Sequence, residues 1–495
     1  MLTLGSLEPA FAQDDEDLTL YHIKLERLKR IVSTNDVSSE ELAQYIADAK
    51  EFAATGDYDL ANEFLESALD LASLSSATIV HTVKKESPKT NWSFYGLSGS
   101  ELWQQTFGFS TGRRDSTLHE SEANPFGGFR FLLEYQNEKD KTAEFELEAK
   151  ASNEYNSADV IFDFKNRLGD LSYFVSNYFN TTLYNRETSL NYLDERFAVG
   201  GILGTGDVGL KLRSESQFRN YSENSEYFYS YFQNRLEAAG YSLLPVLGRF
   251  EIEYIQKNRS HKDKSERDFT ERWTGFEYRS HQLGKLKIDA RIYDIKRNYT
   301  SDYADSLYNN SFTEFYYDGN YRFTTNKHLT LRLDNQVRHR QYEHDYFATP
   351  NYYQYSFEPS LEVYPGHPFH VRFGYQYQKF DYYSNEETTS DPDIEDYIAH
   401  GPIVGLDVIA FNGFVASLSN SYEFRRYPNS PISEDSYYSL YSNRNINSLF
   451  LYLSWNLSNN WELNVLGHFD YDKEQDQEGN DSRTNLLNFE LSYRF

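Results

Sequence analysis

From about residue 92 onward the chain alternates apolar and polar residues with a period of two, in one run after another. Phe129, Phe131, Leu133 and Tyr135 alternate with Arg130 and Glu134, and Phe145, Leu147 and Ala149 with Glu144, Glu146, Glu148 and Lys150. Leu286, Ile288, Ala290 and Ile292 alternate with Lys285, Lys287, Asp289 and Arg291. The pattern recurs over 315–323, 369–377 and 461–471, and the last eleven residues, NLLNFELSYRF, repeat it. A period of two sends successive side chains to opposite faces of a strand, so each run is a strand with one apolar and one wet face. Strands of this kind need something apolar to cover them, and that need restricts the fold more than any other feature.

The connections between runs also alternate. Nine short ones fall near 137 (NEKDKT), 166 (NRLGD), 204 (GTGD), 243 (LLPVLG), 281 (HQLGK), 324 (TTNKH), 364 (YPGHP), 411 (FNGF) and 457 (LSNNW), and Asn412-Gly413 is a hairpin signal of the type I′ kind. Between them lie longer polar stretches, around 113–127, 297–312, 341–352, 380–398, 426–443 and 472–483. Short turn, long loop, short turn describes an up-and-down sheet whose two ends face different compartments. With both ends of the sheet on the short-turn side, nine short turns imply about twenty strands, or eighteen if one pair is miscounted.

Composition decides what covers the apolar face. The only Met is Met1 and there is no Cys, but 43 Tyr and 36 Phe make the chain far too aromatic for disorder. No second set of helices is present to cover the sheet, and no run approaches the ~18 apolar residues of a membrane helix. A soluble sandwich array or β-solenoid fits the turn–loop alternation poorly. An all-β transmembrane antiparallel up-and-down barrel fits it directly, with lipid as the missing cover. Aromatic pairs at strand ends, Tyr352-Tyr353, Tyr382-Tyr383 and Tyr437-Tyr438, suit interfacial girdles. A net charge of −28 argues against nucleic acid as a partner, and the missing cysteines exclude thiolate metal sites.

The chain's ending resembles the C-terminal assembly signal of bacterial outer-membrane β-barrels. Phe489, Leu491, Tyr493 and Phe495 match that signal's alternating hydrophobics, aromatic two before the end and terminal Phe. The resemblance implies recognition by the barrel-assembly machinery, closure of the last strand on the first, and contact with outer-membrane lipid and lipopolysaccharide.

Ahead of the barrel, over 92–495, the pattern is helical. Residues 17–76 carry apolar stripes at helical spacing, and EFAATGDYDLANEFLESALDLA (51–72) resembles one tetratricopeptide repeat. One repeat cannot bury its own stacking face, so 17–76 reads as a periplasmic segment able to dock a partner, or as a plain helical hairpin. Helical repeats ahead of a barrel also resemble polysaccharide-export and surface-protein-export barrels, which carry many repeats where this chain has at most one. Ala10-Phe11-Ala12 reads as the end of a secretory signal whose basic start is missing, which makes 1–16 a residual signal and 77–91 a linker.

Candidate chemistry is sparse. His119-Glu120-Ser121 is the only tight grouping of catalytic residue types, and no third residue orients it. The acidic stretches DPDIED (391–396) and DKEQDQEGND (472–481) lack the alternating ligands and closing Glu of a calcium loop. No enzyme, metal or cofactor is therefore expected. The inward set is more informative. If the apolar residues face lipid, Lys285, Lys287, Arg291, Arg322, Arg332, Arg338 and Arg372 line one side of the lumen and Glu144, Glu146 and Glu148 the other. Opposed walls of this kind set up a transverse field that selects solutes. Alternatively they cross-link the lumen through ion pairs, since Asp289 and Asp334 sit among the cations. The leading functional expectation is a porin-like channel for small solutes. An export or scaffolding barrel, with a polysaccharide, lipoprotein or electron carrier docked on 17–76, is the alternative, and a hydrolase comes third.

Overall fold

The computed structural model describes residues 89–495, apart from 111–114, 138–140, 187, 205–206, 224–227, 245, 281–282, 302–309, 345–349, 367, 384–394, 411–412, 430–440 and 477–480. The residual signal, the helical segment 17–76 and Tyr437-Tyr438 lie outside the described residues.

Twenty strands follow one another: β1 (Lys89–Ser110), β2 (Asp115–Asn137), β3 (Lys141–Ser152), β4 (Tyr155–Leu168), β5 (Leu171–Tyr184), β6 (Tyr192–Gly204), β7 (Val208–Tyr221), β8 (Tyr231–Leu244), β9 (Gly248–His261), β10 (Phe269–Arg279), β11 (Leu286–Tyr299), β12 (Phe312–Asn326), β13 (Leu329–Tyr342), β14 (Asn351–Gly366), β15 (Phe369–Tyr383), β16 (Tyr397–Ala410), β17 (Phe414–Arg426), β18 (Arg444–Asn456), β19 (Trp461–Glu474) and β20 (Ser482–Arg494). Each pairs with the next in the chain, and β1 pairs antiparallel with β20, so the sheet closes into an up-and-down barrel without free edges. All nine short connections fall where the turn residues place them. Gly169 and Gly413 adopt φ 62° and 75° in two of these turns, a conformation in which a Cβ is strained.

One expectation is corrected. The polar stretch 113–127 is not a loop from Asp115 onward, because β2 begins there and runs for 23 residues beside a 22-residue β1. Beyond the bilayer both faces of a hairpin are wet, so a strand there needs no apolar alternation and reads in the sequence as a loop. His119 lies on this strand, with Nδ1 2.9 Å from Thr106 Oγ1 of β1.

The apolar set of each strand faces outward and is bare. Leu203 is 56% exposed, Leu212 52% and Phe373 51%, while inward Asp194, Glu271 and Glu362 are buried. A soluble monomer does not leave a belt of this extent uncovered, and a closed barrel in lipid does. Strands of 13 or 14 residues span about 45 Å along their own axis, or roughly 35 Å across the membrane once tilted, more than the ~25 Å apolar band. The excess appears on β11. Its outward residues begin as Leu286, Ile288, Ala290 and Ile292 and continue as Asp294, Lys296 and Asn298.

Candidate functional site: the inner wall and its aromatic rim

The inner wall is built from the polar partner of each alternating pair. Near the closing seam, Arg130 of β2 lies 3.3 Å from Glu146 and 2.5 Å from Glu148 on β3, and 3.5 Å from Glu490 on β20. Lys150 completes the group, 2.9 Å from Glu148 and 3.0 Å from Glu490. The contacts to Glu490 pass over β1, where Gly99 stands opposite Glu490 and leaves no side chain in the way. The Phe126 ring fills that space instead, with Lys150 Nζ 5.0 Å from its centroid. Glu144 lies on the same inward row of β3.

On β11–β15 the wall is richer in cations, which are interleaved with carboxylates. Arg291 Nε meets Glu277 at 2.6 Å, and Arg332 meets Asp334 at 2.7 Å and Glu362 at 3.6 Å. Arg372 reaches Asp334 at 3.2 Å and also pairs with Glu358. Arg338 lies over the Tyr316 ring at 5.1 Å, and Lys285, in the turn before β11, donates to the Thr325 carbonyl at 2.9 Å. Lys287 faces Arg322 across the β11–β12 pair and, among the described residues, has no ion-pair partner. The structure thus places six of the cations on β11–β15, with Lys285 in the turn before β11, and the three glutamates on β3, each set laced with opposite charge.

Above these pairs runs a feature that the sequence reading did not isolate. On alternate strands an Arg lies two residues before an inward aromatic or His at the long-loop end: Arg219/Tyr221, Arg259/His261, Arg297/Tyr299 and Arg340/Tyr342. Each intervening strand begins with an inward aromatic followed two residues later by a polar partner: Tyr192/Asp194, Tyr231/Gln233, Phe269/Glu271 and Phe312/Glu314. The guanidiniums and rings interleave. Arg219 lies over Tyr192 and Tyr231 at 5.4 and 5.8 Å, and Arg259 over Tyr231 and Phe269 at 4.4 and 5.3 Å. Arg297 lies over Phe269 and Phe312 at 4.6 and 5.1 Å, and Arg340 over Phe312 and Tyr352 at 4.1 and 5.4 Å. Carboxylates hold three of the arginines from below, Asp194 on Arg219 at 3.7 Å, Glu271 on Arg297 at 2.5 Å and Glu314 on Arg340 at 2.6 Å. The result is an alternating ring–cation arc from β6 to β14, each contact contributing about 0.5–2 kcal/mol. The recurring Arg-x-aromatic and aromatic-x-acid spacings were its signal in the sequence.

Phe312 is the arc's most buried ring, 6% exposed and gripped by two guanidiniums. Phe312→Ala is expected to cost about 3 kcal/mol through the cavity and the two lost ring faces, whereas Phe312→Tyr costs little. Urea unfolding of the detergent-folded protein measures both.

At the same end, in the β3–β4 connection, the Glu154 carboxyl is pushed up to about 7 by a hydrogen bond with Glu122, by burial, and by the nearby charges of Glu122 and Glu101. This part of the rim therefore takes up a proton around neutral pH. The acidic stretches act locally. Asp396 accepts from the Tyr382 amide at 2.6 Å, Asp481 from the Glu474 amide at 3.1 Å, and Asp472 meets Arg444 at 2.9 Å. Among the described residues no group of three or more His, Asp or Glu is placed to hold a metal ion.

At the chain's end, Leu491 and Tyr493 lie on β20 opposite Ser98 and Gly96 of β1, and Phe489 opposite Ser100. The Phe495 amide donates to the Phe94 carbonyl at 3.0 Å, and its ring lies 5.6 Å from that of Phe94. Bulky outward residues of the last strand thus rest beside small ones of the first.

A closed barrel with a bare apolar belt outside and ionised ladders inside defines a class: the chain is an outer-membrane β-barrel. No family model matches it, and no curated protein does. Among solved structures it is similar to the siderophore receptor PirA from Pseudomonas aeruginosa, at 9% identity and a TM-score of 0.49, covering 83% of this chain and 81% of that one. The FrpB iron transporter from Neisseria meningitidis aligns at 10% identity and 0.49, over 80% and 81%. The copper transporter OprC aligns at 9% and 0.47, over 84% and 81%. At these scores the functional reading rests on this chain's own residues.

Proposed function

We propose that the barrel is an outer-membrane channel that passes small polar solutes. The observation that carries this reading is the inner wall itself. Glu148, Glu215, Arg235, Glu277, Arg291, Asp334 and Arg372 face inward and stay partly exposed in a barrel of twenty strands. A dry packed core does not tolerate that density of charge, whereas a water-filled bore does, and a barrel of this strand number has room for one. The wall cations on β11–β15 and the glutamates of β3 give the bore a transverse field, moderated by their ion pairs. The ring–cation arc forms the rim through which solutes enter. The segment 17–76 belongs to the proposal as a periplasmic docking element, and the terminal Phe495 as the address read by the assembly machinery.

Full-length protein in planar bilayers is expected to give stepwise ion currents, which persist when 17–76 is deleted. Lys287→Glu, at a wall cation that has no ion-pair partner among the described residues, is expected to shift permeability toward cations. Folded protein that conducts nothing would remove the channel reading. An unshifted reversal potential in the Lys287 variant would remove the transverse field alone.

A further inference from the structure

The outer face of β9, β10 and β11 changes character along the barrel axis. Toward the short turns it is apolar and bare, with Ile252 67% exposed, Ile292 41% and Phe276 39%. Ile252, Phe276 and Ile292 are cross-strand partners in one row. In the next row Thr274 stands between Tyr254 and Asp294, and in the row after it Arg272 stands between Gln256 and Lys296. Arg272 and Lys296 are therefore direct partners on the outer face, and both are exposed.

Two like charges directly opposite one another weaken a sheet. Among the described residues neither cation has an ion-pair or hydrogen-bond partner, and Asp294, diagonal to Arg272, forms no ion pair. In a chain of net charge −28, two adjacent outer-face cations with no ion-pair partner among the described residues call for an anion from outside. The pair's height shows which. Lys296 lies four residues beyond Ile292, roughly 13 Å along the strand and about 10 Å along the axis of a tilted barrel. Headgroups begin within that distance of the hydrocarbon edge, and long basic side chains adjust their charge to it.

We infer that Arg272 and Lys296 dock the phosphate-bearing headgroup of an outer-leaflet lipid. The guanidinium fork takes two phosphate oxygens and the ammonium supplies a second point charge. The bare row of Ile252, Phe276 and Ile292, two rows below, receives the acyl chains. A single amphiphile satisfies both surfaces, whereas a free phosphate satisfies only one.

The test uses full-length protein in detergent and native mass spectrometry. The probes are a bisphosphorylated glucosamine-disaccharide lipid and its dephosphorylated form. Wild-type protein is expected to bind the phosphorylated form at least tenfold more tightly. Arg272→Gln/Lys296→Gln is expected to lose that preference while the delipidated barrel becomes as stable as wild type or more so, because the cross-strand repulsion is gone. Lys473→Glu, at an exposed cation elsewhere on the outer face, is expected to keep the preference. Retention of the preference by the folded double variant, or equal binding of both lipids by wild type, would overturn the assignment. Complete displacement of the lipid by millimolar inorganic phosphate would overturn it too, reassigning the pair to a free anion.

Discussion

Gly99→Val is expected to stop the barrel from closing. A Cβ at Gly99 would meet the Phe489 carbonyl oxygen at 2.1 Å and the Phe126 ring at 2.5 Å. The first of these is backbone of β20, the strand that must pair with β1 along thirteen residue pairs from Tyr95 to Phe107. Overpacking a well-filled site ordinarily costs about 1–3 kcal/mol. Here no flexible side chain can absorb the displacement, so the last strand must move away from the first. An unclosed barrel exposes two strand edges to lipid, where each unpaired amide costs several kcal/mol, so the effect is cooperative and large. The variant should lose the heat-modifiable band that marks folded barrels on gels. Gly96→Ala, where the added methyl meets only the Phe495 ring at 3.5 Å, should keep it. A Gly99→Val protein that folds and migrates like wild type would mean that the seam tolerates a shift of β20 that its geometry does not suggest.

What was legible in the chain follows from what a period of two encodes. The alternation marks the two faces, so Lys287, Arg332 and Glu148 were assignable to the polar face of their strands without coordinates, and the turn residues placed all nine short connections. Register is different, because the partner of a residue depends on how many residues each turn and bulge takes up. That Arg372 meets Asp334 two strands away, or that Lys150 reaches Glu490 past β2 and β1, was not readable. Tyrosine blurred the faces as well. Tyr352-Tyr353 and Tyr382-Tyr383 suggested an interfacial girdle, but a pair of neighbours necessarily splits between faces. Tyr352 and Tyr382 pair ring to ring at 6.0 Å on the inner side, where Arg340 lies against Tyr352, and Tyr353 and Tyr383 stack at 5.2 Å on the outer side. Tyr352, one ring of the rim, was credited to lipid, and the other rings of the arc were not read together as a set.

Arg130→Ala is the second large effect. Arg130 is 13% exposed and serves three carboxylates at once, Glu146, Glu148 and Glu490. Removing it leaves Lys150 to balance Glu148 and Glu490, while Glu146 loses its contact to the group. Breaking a buried pair by deleting one partner costs about 3–5 kcal/mol, because the charge left behind is neither paired nor hydrated. Access to lumen water brings the expected loss toward the lower end of that range. If uncompensated charge is the cause, Arg130→Ala/Glu490→Gln should recover a substantial part of the loss, although it removes one more hydrogen-bonding group. Arg130→Lys should recover less, since an ammonium cannot present the fork that spans three carboxylates.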